Sequence, residues 1–162
     1  MVNYLYLKAE LNNVTDFTPA DSTSSPFEYT FKIQCTKCRE MHDKDVSINL
    51  YEQHELPGSR GEANFYYKCS YCSLSSHISI SLPANYKGYT ADDNGKDIKM
   101  LAIDSRGVNV MDFVPVGFFK CVGVESGNKF EVEFEDGEWY DYDDEANQEV
   151  SITDVIWEIR KK

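Results

Sequence analysis

The chain is short of the groups that most often carry chemistry. Among 162 residues there are five cysteines, three histidines and two tryptophans. No Ser-His-Asp order, no Walker loop and no metal-carboxylate motif is present, so no catalytic constellation can be assembled and a non-enzymatic protein is expected. No apolar run approaches the ~20 residues of a membrane-spanning helix, so no membrane partner is expected. The opening stretch from Met1 to Leu11 is broken by Lys8 and Glu10 and lacks the basic start of a signal peptide. A cytosolic protein, also able to occur in the nucleus, is the expectation.

Positive charge is scarce as well. Sixteen Lys and Arg stand against 28 Asp and Glu, a formal net charge of −12. The imbalance is local: residues 1–90 hold 10 acids and 8 bases, residues 91–162 hold 18 acids and 8 bases. From Glu131 to Glu149 there are ten acids and no Lys or Arg. Such a surface repels phosphate, which excludes nucleic-acid binding through the second half. It serves either as a solubilising face or as a docking surface for a basic partner or a cation.

What the chain does have is an ordered set of thiols. Cys35-Thr36-Lys37-Cys38 and Cys69-Ser70-Tyr71-Cys72 form a C-x2-C…C-x2-C pattern. Each pair turns the chain so that both sulfurs can face one ion, and two pairs complete a tetrahedral shell. One zinc per chain, held by Cys35, Cys38, Cys69 and Cys72, is the reading. In a reducing compartment the alternative of two disulfides is disfavoured. Four protein ligands leave no place for water or substrate, so the metal is structural. Lys37, Arg39 and Lys68 flank the pairs, either placed to offset the negative charge of four thiolates or simply exposed residues at strand ends. His42 and His77 lie near the pairs, but the shell is already full.

Aromatic and β-branched residues dominate, and their spacing has a period of two. Leu5, Leu7, Ala9 and Leu11 share a face; so do Tyr29, Phe31, Ile33 and Cys35; Val46, Ile48 and Leu50; and Ile78, Ile80 and Leu82. These are half-buried strands, and the fold class is all-β. Each cysteine pair falls where a strand ends. Residues 83–97 are rich in turn formers and read as a linker or hairpin region, with a tight turn at Asn94-Gly95. Asp136-Gly137 turns Phe130–Phe134 into Trp139–Tyr142. Near Thr153-Asp154 the alternation slips, which predicts a bulge in the last strand.

Val14-Thr15-Asp16-Phe17-Thr18-Pro19 matches Val110-Met111-Asp112-Phe113-Val114-Pro115 at four of six positions, 96 residues on. Phe31-Lys32-Ile33 finds Phe119-Lys120-Cys121, 88 residues on. The common order points to duplication: two related barrel- or sandwich-like β units, 1–90 clamped by zinc and 91–162 acidic and metal-free, packed side by side as one compact domain. Gly123 stands where the second unit would need the counterpart of Cys35.

Two further candidates remain. Cys121 follows Phe119 at strand spacing and reads as a small apolar core residue; a redox nucleophile beside a structural zinc, as in methionine sulfoxide reductases, is the alternative. Gly58-Ser59-Arg60-Gly61 lets the chain turn sharply and presents Ser59 and Arg60, either as a structural hairpin tip or as a contact for a protein partner.

The opening Leu7-x-Ala9-Glu10-Leu11-x-Asn13-Val14, the two cysteine pairs, Pro57-Gly58-Ser59-Arg60-Gly61-x-Ala63-Asn64-Phe65 and Glu138-Trp139-Tyr140-Asp141-Tyr142 together give the chain, over essentially its whole length, a resemblance to the eukaryotic CXXC-motif zinc-binding proteins. The resemblance implies a cytosolic or nuclear protein of duplicated β architecture with one structural zinc, and all four zinc positions match. The expected role is a monomeric interaction or adaptor module for an unidentified protein partner. A thiol enzyme using Cys121 and a metal-handling protein are the alternatives.

Overall fold

The computed structural model describes residues 1–58 and 60–161. Among them are fourteen strands and one short 3-10 turn, Ala91–Asp93. The strands are β1 (Val2–Asn12), β2 (Val14–Pro19), β3 (Tyr29–Cys35), β4 (Val46–Ile48), β5 (His54–Glu55), β6 (Glu62–Ala63), β7 (Phe65–Lys68), β8 (Ser75–Ser81), β9 (Ile98–Arg106), β10 (Val108–Val114), β11 (Phe119–Gly123), β12 (Lys129–Val132), β13 (Trp139–Asp143) and β14 (Gln148–Arg160). The fold is all-β, as the period-two pattern requires. No helix among the described residues is long and apolar enough to cross a membrane.

The alternation places side chains where it should. Leu5, Leu7, Ala9 and Leu11 on β1, and Tyr29, Phe31, Ile33 and Cys35 on β3, are buried. Leu82 departs from the pattern: β8 ends at Ser81, and Leu82 is exposed. The slip in β14 is a bulge, where the register with β1 shifts between Lys8 and Glu10 and Asp154 takes a left-handed φ of 53°. Asp136 and Gly137 have positive φ angles of 52° and 79°, the type I′ geometry that closes a two-residue hairpin.

A six-stranded antiparallel sheet runs in the order β13-β14-β1-β9-β8-β7, and two three-stranded sheets run β10-β3-β4 and β12-β11-β2. A small hairpin joins β5 and β6. Every one of the larger sheets contains strands from both sides of residue 90. Exchanging β1 with β9, β2 with β10, β3 with β11, β4 with β12, β7 with β13 and β8 with β14 reverses the six-stranded sheet onto itself and interchanges the two smaller ones. The expected pair of side-by-side units is therefore replaced by interleaved halves, in which β2 pairs with β11 and β10 with β3. Single-residue corners cause this. Asn13, at φ 62°, and Gly107, at φ 78°, turn β1 into β2 and β9 into β10. A one-residue corner carries the strand straight out of the large sheet and into the opposite half.

The register does not coincide with the repeat read from the sequence. Val14 lies opposite Gly123, and Val108 lies opposite Cys35. Under the exchange of strands above, Val14 takes the place of Val108, 94 residues on, whereas the hexapeptide match sets it against Val110. A two-residue slip leaves every side chain on the same face, so alternation cannot detect it. The match of Phe31-Lys32-Ile33 with Phe119-Lys120-Cys121 does fall on corresponding positions, because Phe31 pairs with Phe113 as Phe119 pairs with Pro19.

The stretch 83–97 is not a free linker. Tyr89 is fully buried, and its backbone exchanges two hydrogen bonds with Phe17, both 2.8 Å. Its hydroxyl accepts from Ala9 N–H (3.1 Å), and its single proton has three carbonyl acceptors within reach, Asp93 C=O (2.7 Å), Lys96 C=O (2.8 Å) and Ala9 C=O (3.1 Å). Asn94 and Gly95 make the expected tight turn, closed by Lys96 N–H donating to Asp93 C=O at 2.8 Å with Gly95 at a φ of 76°, and Asn94 does more than turn the chain. Its amide mimics a strand residue, accepting from Leu11 N–H at 2.7 Å and donating to Leu11 C=O at 2.9 Å.

Between the sheets lies an aromatic cluster centred on Phe119. Its ring centroid is 5.2 Å from Phe17, 5.0 Å from Phe27, 5.4 Å from Phe134 and 5.9 Å from Trp157. The Phe17 ring stacks on Phe119 and the other three are tilted against it, arrangements that suit the ring quadrupole better than a face-to-face sandwich. This core holds both halves in one body.

Candidate metal centre

β3 ends at Cys35 and β7 ends just before Cys69. Each strand runs into a turn of the same construction. Cys35 N–H donates to Glu40 C=O (3.1 Å) and Arg39 N–H to Cys35 C=O (3.1 Å); Cys69 N–H donates to Leu74 C=O (2.9 Å) and Ser73 N–H to Cys69 C=O (2.9 Å). Arg39 and Ser73 take left-handed φ angles of 66° and 65° that reverse the chain. Both turns raise the second cysteine of the pair, Cys38 or Cys72, beside the first.

The two turns belong to different sheets, and the corner at Gly107 brings them together. Thr36 N–H donates to Gly107 C=O at 3.2 Å. A Cβ on Gly107 would stand 2.9 Å from the Ser75 carbonyl oxygen and 3.0 Å from Ser76 Cβ, so glycine is needed for close approach as well as for its φ of 78°. His42 Nδ1 lies 3.0 Å from the Tyr67 hydroxyl, with the rings edge to face, and that hydroxyl also accepts from Ser70 N–H at 3.4 Å. His42 and Tyr67 thus tie the first turn to the second without touching the metal position. The sequence pattern ranked His42 only as a spare ligand and passed over Tyr67; their separation in the chain carries no periodic signal.

All four sulfurs lie within 4.8 Å of one another. Cys35 Sγ is 3.6 Å from Cys72 Sγ, and Cys38 Sγ is 3.6 Å from Cys69 Sγ. These separations are too long for disulfides. A tetrahedron with Zn–S bonds of about 2.3 Å has edges of about 3.8 Å, so the donor set fits one zinc. Among the described residues this is the one His, Cys, Asp or Glu group that meets the geometry of a metal site. Backbone N–H groups of Cys38 and Lys37 draw the Cys35 thiol below its usual range, against the opposing effect of burial. Those of Cys72 and Tyr71 do the same for Cys69, drawn down to about 6. Cys38, despite the Glu40 N–H, is pushed up to about 12 by burial and by the sulfurs facing it. The thiolate charge is met by backbone dipoles; Lys37, Arg39 and Lys68 are exposed. Bound zinc would supply a four-coordinate cross-link between the two turns, with no open position.

Of the other candidates, Cys121 is fully buried on β11, and burial, followed by the charge of Asp141, pushes its thiol up to about 12. A thiol in that state is a poor nucleophile at neutral pH. Native protein treated with an excess of iodoacetamide at pH 7 should modify Cys121 only as fast as the fold opens, and denatured protein at once. Complete labelling of native Cys121 within minutes would overturn its assignment to the core. Arg60 is exposed near the tip of the β5–β6 hairpin, where Leu56 N–H donates to Gly61 C=O at 3.1 Å. Ser59, the other residue assigned to that contact, lies outside the described residues.

Two C-x2-C turns that present four thiols to a single tetrahedral position make this a β-protein with a four-cysteine zinc site. Residues 4–160 match the model of the eukaryotic CXXC motif containing zinc binding proteins. A UPF0587 protein of Schizosaccharomyces pombe is 39% identical over 157 residues, covering 97% of this chain and 96% of that protein. The human CXXC motif containing zinc binding protein is 34% identical over 158 residues, with coverage of 97% and 96%. A crystal structure of C1orf123 superimposes with a TM-score of 0.89 at 33% identity over the full length of both chains. A hypothetical protein from Plasmodium falciparum does so with a TM-score of 0.87 at 25% identity, over 99% of each chain. The chain belongs to the eukaryotic family of CXXC motif containing zinc binding proteins.

Proposed function

We propose that the protein is a non-enzymatic interaction module: a zinc-clamped β scaffold that binds a protein partner through a basic, extended segment laid along β13. The observation that carries this reading is the edge strand. β13 is outermost in the six-stranded sheet, and no described residue pairs with its outer edge. Its central residues Tyr140, Asp141 and Tyr142 are all exposed, the tyrosines by 66% and 46%. Open backbone groups on an edge strand accept an incoming strand by continuing the ladder. Glu133, Glu135, Asp136 and Glu138 gather in one cleft beside Trp139 and Tyr140. That charge attracts Lys and Arg and accelerates encounter, and exposed rings add cation–π contacts.

Arg60 stands on the other half and suits an acidic group, so it is a separate contact and not part of this groove. The palindromic strand order and the reciprocal pairing of β2 with β11 and β10 with β3 support a further reading, that the chain arose by duplication of one β unit that exchanged a strand with its copy.

The test uses defined peptides and titration calorimetry. A peptide alternating Lys and Val should bind, and should weaken as salt rises; one alternating Glu and Val should not. The triple change Glu133→Gln, Glu135→Gln and Glu138→Gln should weaken binding at least tenfold, while Arg60→Ala leaves it unchanged. A backbone N-methylated Lys-Val peptide cannot complete the ladder and should bind at least tenfold less tightly. Equal binding of the N-methylated peptide rejects strand addition, and indifference to the triple change rejects the acidic cleft.

A further inference from the structure

The second half contains both cysteine turns, without the cysteines. Gly123 N–H donates to Asn128 C=O at 2.8 Å and Gly127 N–H donates to Gly123 C=O at 2.9 Å, the same two bonds that close the turn from Cys35 to Glu40. Gly127 has a φ of 72°, as Arg39 has 66°. Val124 N–H donates to Asn13 C=O at 3.0 Å, as Thr36 donates to Gly107. At the second turn Asp143 pairs with Gln148 at the end of β13, as Cys69 bonds to Leu74 after β7, and Asn147 has a φ of 53° where Ser73 has 65°. The ladders agree, since Val14 faces Gly123 as Val108 faces Cys35. Cys35, Cys38, Cys69 and Cys72 thus correspond to Gly123, Ser126, Asp143 and Ala146.

At this place the second half holds a buried carboxylate. Asp143 is fully buried. Its Oδ2 accepts from Ser126 Oγ at 2.5 Å, and its Oδ1 accepts from Asn128 Nδ2 at 3.0 Å, Glu145 N–H at 3.2 Å and Ala146 N–H at 3.3 Å. Glu145 and Ala146 correspond to Tyr71 and Cys72, whose N–H groups serve Cys69. The same pair of backbone donors therefore meets a thiolate in one half and a carboxylate in the other. The Ser126 hydroxyl foremost, with the Ala146 N–H, the Asn128 amide and the Glu145 N–H, keeps Asp143 ionised, its pKa below the usual carboxylate range despite burial. Gly123 has an ordinary backbone; what requires glycine there is space. A Cβ would lie 2.5 Å from Asp143 Oδ2 and 2.6 Å from Ser126 Oγ, so no side chain fits while the carboxylate is in place.

We propose that Gly123, Ser126, Asp143 and Ala146 form a metal-free counterpart of the zinc site, in which the Asp143 carboxylate joins the two turns as zinc joins them in the first half. The fold then needs metal at one end only. Loss of zinc loosens the turns at Cys35 and Cys69 and leaves those at Gly123 and Asp143 closed. The second site remains a latent metal site, because its backbone already presents four positions with knuckle spacing.

Two experiments test this. First, hydrogen exchange is followed on the intact protein before and after zinc is removed with a thiol reagent and a chelator. Amides of 35–40 and 69–74 should lose protection at least tenfold more than those of 123–128 and 143–148. In Asp143→Ala the pattern should invert: 123–128 and 143–148 open together, with zinc content still one per chain. Second, the fourfold variant Gly123→Cys, Ser126→Cys, Asp143→Cys, Ala146→Cys should raise the zinc content from one to two per chain and double the cobalt–thiolate absorbance on cobalt substitution. A folded fourfold variant that still binds one zinc overturns the latent site. If that variant does not fold, the Asp143→Ala exchange decides alone, and unchanged protection of both turns overturns the proposal.

Discussion

Cys69→Ser should abolish stoichiometric zinc binding and unfold the end of the molecule where β3, β7 and the Gly107 corner meet. Structural zinc contributes roughly 10–16 kcal/mol in small peptides, against about 5–15 kcal/mol for the net stability of a domain. Apart from zinc this end is lightly held. β7 has four residues, none fully buried; among the described residues its one strand neighbour is β8, and its side chains add the His42–Tyr67 contact and partial packing of Phe65 and Tyr67 on the core. A serine hydroxyl does not replace a thiolate as a zinc ligand, and three cysteines leave a coordination position open to water. Elemental analysis should fall from one zinc per chain to a small fraction, and the thermal transition should broaden and drop by more than 10 °C. One retained zinc with an unchanged melting temperature would show that the four sulfurs do not act as one site.

Phe119→Ala should be the most damaging change away from the metal. The ring is fully buried and is in contact with Phe17, Phe27, Phe134 and Trp157, residues drawn from both halves. Removing it leaves a cavity that these large rings cannot close without leaving their rotamers. The expected loss is about 3–5 kcal/mol, and at roughly 2–4 °C per kcal/mol for a domain of this size the melting temperature falls by about 6–20 °C. Zinc content should stay at one per chain, because the metal turns are built on local backbone bonds. Phe119→Leu, which refills most of the volume, should recover more than half of the loss. A drop in zinc content matching the drop in stability would instead place Phe119 in the support of the metal site.

Most of the local structure was legible because it repeats with a short period. Leu5 to Leu11 and Tyr29 to Cys35 alternate, and both segments are strands with those residues inside. The bulge at Asp154 and the hairpin at Asp136-Gly137 were legible because a phase slip and a residue pair with positive φ are local facts. The metal site was legible because thiols at C-x2-C spacing carry few other meanings. Its partner in the second half was not. Asp143 is one of ten acids between Glu131 and Glu149, and only its burial and its four donors separate it from the rest. In residues 83–97 the turns were legible, Asn94-Gly95 among them, but turn formers announce irregular backbone and not the burial of one tyrosine at Tyr89.

The amino-acid order alone determined the strand content, the identity of the four thiols, the side that the apolar residues of Leu5 to Leu11 and Tyr29 to Cys35 would face and the family to which the chain belongs. These follow from periods of two and three residues, over which the chain's stiffness governs geometry. The tertiary structure decided which strands pair, that β2 joins β11 and β10 joins β3, and that Asp143 is buried among hydrogen-bond donors from Ser126 and Asn128. Those depend on contacts between residues distant in the chain, made by the one-residue corners at Asn13 and Gly107 and by the packing around Phe119. A period-two pattern is unchanged by a two-residue slip or by exchange of one strand for its counterpart, so only the folded chain distinguishes them.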